Sequence, residues 1–229
     1  MKNVTLVLDL DGTLVDTAPD LVRATNHVMR SIGATEAPVE HIRATVSHGA
    51  RAMIVHALSL AGRSMSDPEV DKLLVQFLAY YSDNIAVDSR PFPDVIEVLT
   101  GLAKRGTKLA VCTNKREALS RKLLKELKMD RLFNAIVGRD TLPVYKPDPG
   151  HLIGTIILAD GNLDRAIMVG DSETDVATAK RAGVPCIGVT FGYTTAPVAS
   201  FKPEGLIDHY RDLETRMREI FAAQDAMPS

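Results

Sequence analysis

The chain opens with an apolar run that ends in two carboxylates, and this stretch limits what the sequence can fold into. Residues 4–8 read Val-Thr-Leu-Val-Leu, and Asp9, Asp11 and Gly12 follow directly. A short apolar run bounded by a turn signal indicates a strand buried on both faces, as in a parallel sheet. Ligands of open parallel sheets bind beyond the carboxyl ends of the strands. Asp9 and Asp11 are therefore predicted at the mouth of a sheet, where their mutual repulsion calls for a partner such as a bound cation.

Composition excludes several classes of protein. The 229 residues carry a formal charge of −2, which does not suit a nucleic-acid-binding protein or one that binds an acidic membrane surface. No apolar stretch approaches the length that spans a bilayer, and Lys2 followed by Asp9 does not fit a secretory signal. Cys112 and Cys186 lie in apolar runs and are expected to be buried free thiols. We therefore expect a soluble, cytoplasmic protein without a nucleic-acid or membrane partner; its oligomeric state is left open.

Helical periodicity dominates the region after the first strand. Apolar residues recur at helical spacing in four segments, which begin near Pro19, Pro38, Gly49 and Asp67. Because Pro68 follows Asp67, we expect Asp67 to be the N-cap of the fourth helix. The four helices are predicted to form a cap of residues 16–85, inserted after the first strand, with hinges near residues 16–17 and 84–91.

Strands and helices alternate from residue 92 onward. Apolar runs predict further strands at residues 108–114, 135–138, 166–171, 185–189 and 206–207. Such alternation predicts an α/β fold with a parallel, Rossmann-like sheet. Residues 1–15 and 86–229 are thus predicted to form the core, with the helical cap inserted into it.

Polar side chains follow these strands at the edge of the sheet where ligands bind. They are Asp9 and Asp11 after the first strand, Thr113 and Asn114 at the end of the second, Lys146 in the turn after the third, and Asp171 after the fourth. Carboxylates form sites for hard cations, whereas hydroxyl and ammonium groups donate to phosphate oxygens. The combination indicates phosphoryl transfer.

Four segments carry a resemblance to a known family. They are Asp9-Leu10-Asp11-Gly12-Thr13-Leu14, Thr113-Asn114, Lys146-Pro147 and Gly170-Asp171-Ser172-Glu173-Thr174-Asp175. In this order they resemble the motifs of the haloacid dehalogenase-like hydrolase superfamily, and the resemblance covers the whole chain. The inserted helices resemble the cap of one branch. Residues 46–50, 57–58 and 188–193 are most similar to the phosphoglycolate phosphatases of that branch, although His48 stands where an asparagine is usual.

The resemblance implies a Mg²⁺-dependent phosphomonoester hydrolase that acts on a small phosphorylated metabolite, 2-phosphoglycolate in the first instance. Asp9 would be the nucleophile that forms an aspartyl-phosphate, and Asp11 the general acid and then base. The expected metal ligands are Asp9, Asp11 (through its backbone carbonyl) and Asp171, and the expected phosphate-binding residues are Thr113, Asn114 and Lys146. Asp175 either supports Asp171 from behind or caps a helix.

Substrate choice is assigned to the cap. His48, Gly49 and Arg51 lie at the start of a cap helix, where backbone N–H groups and a cation favour an anion; the alternative is an ordinary solvated turn. A β-phosphoglucomutase-like phosphomutase stays open, as does a phosphatase for a sugar phosphate or pyrophosphate. A dehalogenase is disfavoured because Asp11 is present. A signalling receiver is disfavoured by the chain length, the inserted bundle and the order of the motifs.

Overall fold

A parallel six-stranded sheet forms the centre of the protein. A computed structural model describes residues 3–194 and 196–226. The strands are β1 (Thr5–Leu8), β2 (Val15–Asp16), β3 (Arg90–Pro91), β4 (Lys108–Cys112), β5 (Ala135–Val137), β6 (Ala166–Gly170), β7 (Cys186–Val189) and β8 (Gly205–Ile207). The sheet has the order β5-β4-β1-β6-β7-β8, and its neighbouring strands are parallel. The predicted α/β, Rossmann-like core is confirmed.

The central strand β1 is buried along its whole length. It pairs with β4 on one side and with β6 on the other. Because helices also cover both faces of the sheet, every residue from 5 to 8 is inaccessible to solvent. Leu8 is aligned with Val111 of β4 and Val169 of β6. Because the three strands end together, the residues that follow them emerge at the same edge of the sheet.

Nine α-helices surround the sheet or form the inserted segment within the described residues. They are α1 (Ala18–Ser31), α2 (Val39–Arg43), α3 (Ala50–Leu60), α4 (Asp67–Asp83), α5 (Val95–Lys104), α6 (Glu117–Glu126), α7 (Pro149–Leu158), α8 (Glu173–Ala182) and α9 (Leu213–Asp225). Helices α7 and α8 cover one face of the sheet, and α5 packs against the other. In the part of the chain that the structure describes, none of these helices is long and apolar enough to cross a membrane.

Two apolar clusters follow from the alternation of side chains along the strands. Val7 points to the face that α7 and α8 cover, where it packs in a cluster with Leu152 and Met168. Leu6 and Leu8 point to the other face, and the cluster there continues without a break into the apolar residues of α1, α3 and α4. Core and cap therefore share one hydrophobic interior.

The two cysteines are buried and free, as expected from the sequence. Cys112 ends β4 and Cys186 begins β7, two strands that are not neighbours in the sheet. The Cys112 thiol lies 3.3 Å from Nδ1 of His151. Burial raises the pKa of this thiol to about 12, so the thiol stays protonated at neutral pH.

The start of α4 differs from the prediction. The N-cap is Ser66 rather than Asp67, which is the first residue of the helix. The side chain of Glu69 accepts hydrogen bonds from both the backbone N–H and the hydroxyl of Ser66, at 2.8 and 2.7 Å. This capping box satisfies helix-end donors that an N-cap at Asp67 would leave unpaired.

The two passages, meaning the chain segments that connect the core to the cap and the cap back to the core, run side by side. Strands β2 and β3 pair antiparallel over two residues each, with Asp16 opposite Arg90. Sequence periodicity does not reveal two-residue strands, so this pair was not predicted. Helices α1 to α4 lie between the passages, and the exact domain boundaries stay a prediction.

Asp20, in the first turn of α1, fastens the second passage. Its side chain is fully buried and accepts hydrogen bonds from the backbone N–H groups of Asp88 and Ser89, at 3.1 and 2.8 Å, and from the Ser89 hydroxyl at 2.7 Å. The guanidinium of Arg23 contacts the same carboxylate. One buried carboxylate thus satisfies donors on a segment about 70 residues away in sequence.

We predict that Asp20→Ala lowers the free energy of unfolding by about 3 kcal/mol, because it leaves the buried N–H and hydroxyl of Ser89 without an acceptor and removes one of the two carboxylates that contact Arg23. Urea denaturation monitored by circular dichroism measures this. Asp88→Ala is the matched control, since the Asp88 side chain is 54% exposed and also contacts Arg23; it should cost less than about 1 kcal/mol. Equal effects of the two substitutions would contradict the proposed role of Asp20.

Candidate active site

The candidate active site lies where β1, β4 and β6 end, beneath the cap. A cavity of about 420 Å³ separates this edge of the sheet from the cap helices. The core lines it with Asp9, Asp11, Thr113, Lys115, Lys146 and Asp171, and the cap lines it with Leu21, Met53, Leu74, Phe77 and Tyr81. The register of the three strands places these core residues together. A polar floor thus faces a largely apolar roof.

Lys146 is the cation at the centre of the floor. Its ammonium lies 2.8 Å from Oδ1 of Asp9 and 2.6 Å from Oδ1 of Asp175, and the side chain is only 3% exposed. Burial alone would lower the pKa of this ammonium, but Asp175 and Asp9 outweigh burial and raise it well above its ordinary value. Lys146 therefore carries a permanent positive charge between two carboxylates.

Three buried carboxylates form a cluster at this point. Asp9, Asp171 and Asp175 each offer an oxygen within 4.8 Å of the others. Burial, together with repulsion from Asp175, raises the pKa of Asp9 to about 6, although Lys146 opposes the shift. Burial raises the pKa of Asp171 further, to about 8, again with repulsion from Asp175 and Asp9. When all three carboxylates are ionised, the one ammonium leaves two negative charges uncompensated, and hard cations prefer such oxygen donors.

Asp171 is held from two sides. Its Oδ2 accepts the backbone N–H of Tyr193 at 2.8 Å, and its Oδ1 accepts the hydroxyl of Thr13 at 3.2 Å. Two glycines let the backbone approach this carboxylate. A Cβ added at Gly12, where φ is +82°, would lie 2.5 Å from Oδ2 of Asp171. A Cβ added at Gly192 would lie 2.1 Å from the Cβ of Asp171. The carboxylate therefore has a single orientation.

Asp175 has two functions in the structure. Its Oδ2 accepts the backbone N–H and the hydroxyl of Ser172, at 3.1 and 2.6 Å, in a capping box at the start of α8. Its Oδ1 is bonded to Lys146, and the residue is fully buried in the carboxylate cluster. Helix capping, one of the two alternatives weighed from the sequence, is therefore present; support of Asp171 stays a prediction, because the other oxygen of Asp175 binds Lys146.

The side chain of Asp11 lies outside the cluster. Both of its oxygens accept hydrogen bonds from the ammonium of Lys115, at 2.8 and 3.0 Å. Its expected contribution to a metal site, the backbone carbonyl, stays a prediction. From the sequence, Lys115 could either touch the substrate or simply form the rim of the site. Here its side chain is 6% exposed and orients Asp11.

Thr113 and Asn114 stand beside these charges. The hydroxyl oxygen of the buried Thr113 accepts the backbone N–H of Lys115 at 3.2 Å. Asn114 donates through Nδ2 to the backbone carbonyl of Lys146 at 3.0 Å, and no hydrogen bond to its buried Oδ1 comes from the residues described. Asn114 therefore positions the backbone of Lys146; phosphate binding by Thr113 and Asn114 stays a prediction.

The cap residues expected to select substrate line the opposite wall. His48 ends a 3₁₀ helix, and Gly49, with φ +87°, precedes α3; both residues are exposed and border the cavity. The guanidinium of Arg51 is ion-paired with Asp67 and Asp71, at 2.6 and 3.3 Å. The structure thus directs Arg51 toward α4 rather than toward the carboxylate cluster.

Two tyrosines at the site went unnoticed as functional residues in the sequence. Tyr193 was part of a stretch used only for family resemblance, yet it holds Asp171 and its hydroxyl contacts both Asp16 and the N–H of Ala18. Tyr81 lies within the apolar stripe of α4. A tyrosine within an apolar stripe carries a polar tip that needs a partner, and this signal could have singled it out.

Comparison with known proteins agrees with this geometry. The sequence model of the haloacid dehalogenase-like hydrolases matches residues 6–189. Phosphoglycolate phosphatases from Mesorhizobium japonicum and Agrobacterium fabrum are 47% and 41% identical to the chain; each alignment covers 96% of it, and 96% and 94% of the relatives. The crystal structure of a predicted phosphoglycolate phosphatase from Haemophilus somnus superimposes with a TM-score of 0.86 at 30% identity, over 93% of this chain and 97% of that one.

The fold and the strand-end carboxylates define a hydrolase of the phosphoryl-transfer type, and the family match covers most of the chain. The protein belongs to the haloacid dehalogenase-like hydrolase family. Within that family it is a phosphatase. The resemblance and the enzyme class predicted from the sequence are thereby confirmed.

We predict that, in the presence of EDTA, the free energy of unfolding falls as the pH rises from 5 to 8. Asp9 and Asp171 have folded-state pKa values of about 6 and about 8, above the value of about 3.9 for an unfolded chain. The folded state therefore binds more protons in this window, and raising the pH favours unfolding.

Urea denaturation at several pH values tests this dependence. Asp171→Asn removes one of the crowded charges and should reduce the loss of stability by more than about 1.4 kcal/mol, the equivalent of one pKa unit. Asp164→Asn, the same change at an exposed position, should leave the dependence as in the wild type. A free energy of unfolding that stays constant from pH 5 to 8 in the wild type would contradict the repulsion assigned to the carboxylate cluster.

Proposed function

We propose that the protein hydrolyses small phosphomonoesters in a Mg²⁺-dependent reaction, and that 2-phosphoglycolate is its substrate, giving glycolate and phosphate. The observation that carries the proposal is the Asp9 carboxylate, buried beside Lys146 and two further carboxylates at the floor of an enclosed cavity. The substrate is supported by the relatives named phosphoglycolate phosphatase, which align over nearly the whole chain.

The donor set fits a hard divalent cation. Asp9, Asp171 and Asp175 supply carboxylate oxygens within reach of one another, and Lys146 leaves two of their three charges unbalanced. Asp9 and Asp171 would hold the ion, together with the carbonyl of Asp11, and Asp175 would support Asp171. A Mg²⁺ ion bound there would neutralise these carboxylates and the phosphate oxygens of the substrate.

Asp9 is the nucleophile in this mechanism. One of its carboxylate oxygens attacks phosphorus, the bond from phosphorus to the ester oxygen breaks, and an aspartyl-phosphate forms. Lys146 holds the carboxylate through Oδ1 and supplies positive charge to the phosphoryl oxygens. The hydroxyl of Thr113, which follows β4 at the same edge of the sheet, would donate to a phosphoryl oxygen.

Asp11 moves the proton. In its protonated form Asp11 gives its proton to the leaving oxygen as the ester bond breaks, so that glycolate departs as the alcohol and Asp11 is left as the carboxylate. It then takes a proton from the water that attacks the aspartyl-phosphate, which releases phosphate and restores Asp9. Lys115 holds both oxygens of Asp11 and so determines the direction from which the proton is delivered.

The cap excludes water from this chemistry. Its apolar residues share one hydrophobic cluster with the core, and several of them form the roof of the cavity. Within this roof, Leu74, Phe77 and Leu78 offer no hydrogen-bond partner to sugar hydroxyls, which favours a smaller ester over the substrate of a phosphomutase. Hydrolysis of a small ester suits the cavity better.

We expect Asp9→Asn to lower kcat by at least about 10³-fold, because the amide cannot act as the nucleophile. The measurement is phosphate release from a panel of 2-phosphoglycolate, a hexose phosphate, pyrophosphate and ethyl phosphate, with Mg²⁺ and with EDTA. Asp164→Asn is the matched control, an exposed aspartate away from the cavity that should retain wild-type turnover.

Three results would each refute a part of the proposal. Wild-type turnover by Asp9→Asn would exclude the nucleophile. Phosphate release that is undiminished in EDTA would exclude the metal requirement. A preference for the hexose phosphate or pyrophosphate over 2-phosphoglycolate would exclude the substrate, and interconversion of sugar phosphates without phosphate release would establish a mutase.

A further inference from the structure

Tyr81 brings an unused hydrogen-bond donor into the cavity. It ends the stripe of α4 side chains, with Leu74, Phe77 and Leu78, that forms part of the cavity wall. The side chain is 1% exposed, and no acceptor for its hydroxyl proton is found among the residues described. A buried hydroxyl without a partner costs about 1–3 kcal/mol. Native structures retain such a group where a ligand completes it or where function requires it.

Lys115 lies directly against this tyrosine from the core side. Its ammonium is 4.7 Å from the centre of the Tyr81 ring and borders the same cavity. An ammonium has three N–H donors, and Asp11 uses two of them. The Lys115 ammonium and the Tyr81 hydroxyl, a cation and an O–H donor, therefore meet from opposite walls of one cavity.

We propose that Tyr81 and Lys115 bind the second acidic group of the substrate, a carboxylate carried close to the phosphate ester. This inference rests on the proposed phosphatase activity and assigns the selection of an acidic substrate to one residue of the cap and one of the core. Two donors, one of them cationic, match the two oxygens of a carboxylate. An amine at this position would be repelled by Lys115.

The surroundings strengthen such a contact. Leu74, Phe77 and Leu78 keep the dielectric constant low beside the donors, where a charged hydrogen bond is stronger than in water. Burial raises the pKa of Tyr81 to about 12, so the hydroxyl remains a donor at neutral pH.

The cap cation expected from the sequence is less suited to this task. The guanidinium of Arg51 is engaged by two carboxylates, and the side chain is 44% exposed. Exposed charge is screened by water and salt, so it discriminates weakly between ligands. Selection of an acidic substrate is therefore expected to depend on Tyr81 more than on Arg51.

Tyr81→Phe tests the inference, since it removes the hydroxyl and keeps the ring. The two substrates are 2-phosphoglycolate and ethyl phosphate, whose leaving groups have equal numbers of carbon atoms and differ in the carboxylate. We expect kcat/KM for 2-phosphoglycolate to fall about tenfold, mainly through KM, and that for ethyl phosphate to change less than about twofold. Tyr80→Phe is the matched control on the same helix, where the ring stacks on His27; both substrates should be unaffected.

Calorimetric binding of 2-phosphoglycolate provides a readout that needs no turnover. In the Asp9→Asn background, Tyr81→Phe should weaken binding about tenfold, while the affinity for inorganic phosphate should stay the same. An equal loss for both esters, or unchanged binding of 2-phosphoglycolate, would overturn the inference and leave the phosphatase proposal intact. If the wild type released phosphate from neither ester, the proposed function would fail, and the binding comparison would still decide the role of Tyr81.

Discussion

The structure depends on the burial of three carboxylates around a single ammonium. Lys146 contacts Asp9 and Asp175 at hydrogen-bond distance, and Asp171 completes the cluster without a cation of its own. Buried charges are tolerated only when they are paired or can bind an ion. The shortage of positive charge is therefore the property that makes this edge of the sheet reactive. The surrounding helices and strands hold the three carboxylates in place.

The residues that hold the carboxylate cluster in place also connect it to the cap. The backbone N–H of Tyr193 holds Asp171, while the hydroxyl of the same residue contacts Asp16 and the N–H of Ala18, at the passage from core to cap. Asp20 fastens the return passage. The acidic floor and the start of the cap are thus joined by one buried side chain, and the apolar residues of both belong to one cluster.

Much of the architecture could be predicted from local patterns. Apolar runs located the six strands of the sheet, and helical spacing located the segments of the inserted helices, because burial on both faces and on one face leave different periodicities. The short pair β2 and β3 and the N-cap of α4 were missed or misplaced, since two residues carry no period and Ser66 and Asp67 are both good caps. The residue types at the strand ends sufficed to predict phosphoryl transfer, and the resemblance of four ordered motifs led to the family.

The sequence by itself thus determined which carboxylates, hydroxyl and lysine reach the edge of the sheet, because parallel strands end together and bring their next residues to one place. Only the tertiary structure decided which partner each charge takes. Lys115 binds Asp11, Lys146 bridges Asp9 and Asp175, and Arg51 turns to Asp67. All of these partners are between 16 and 137 positions apart in the chain. Their pairing depends on distances and burial that arise only when the cap and the core are packed together.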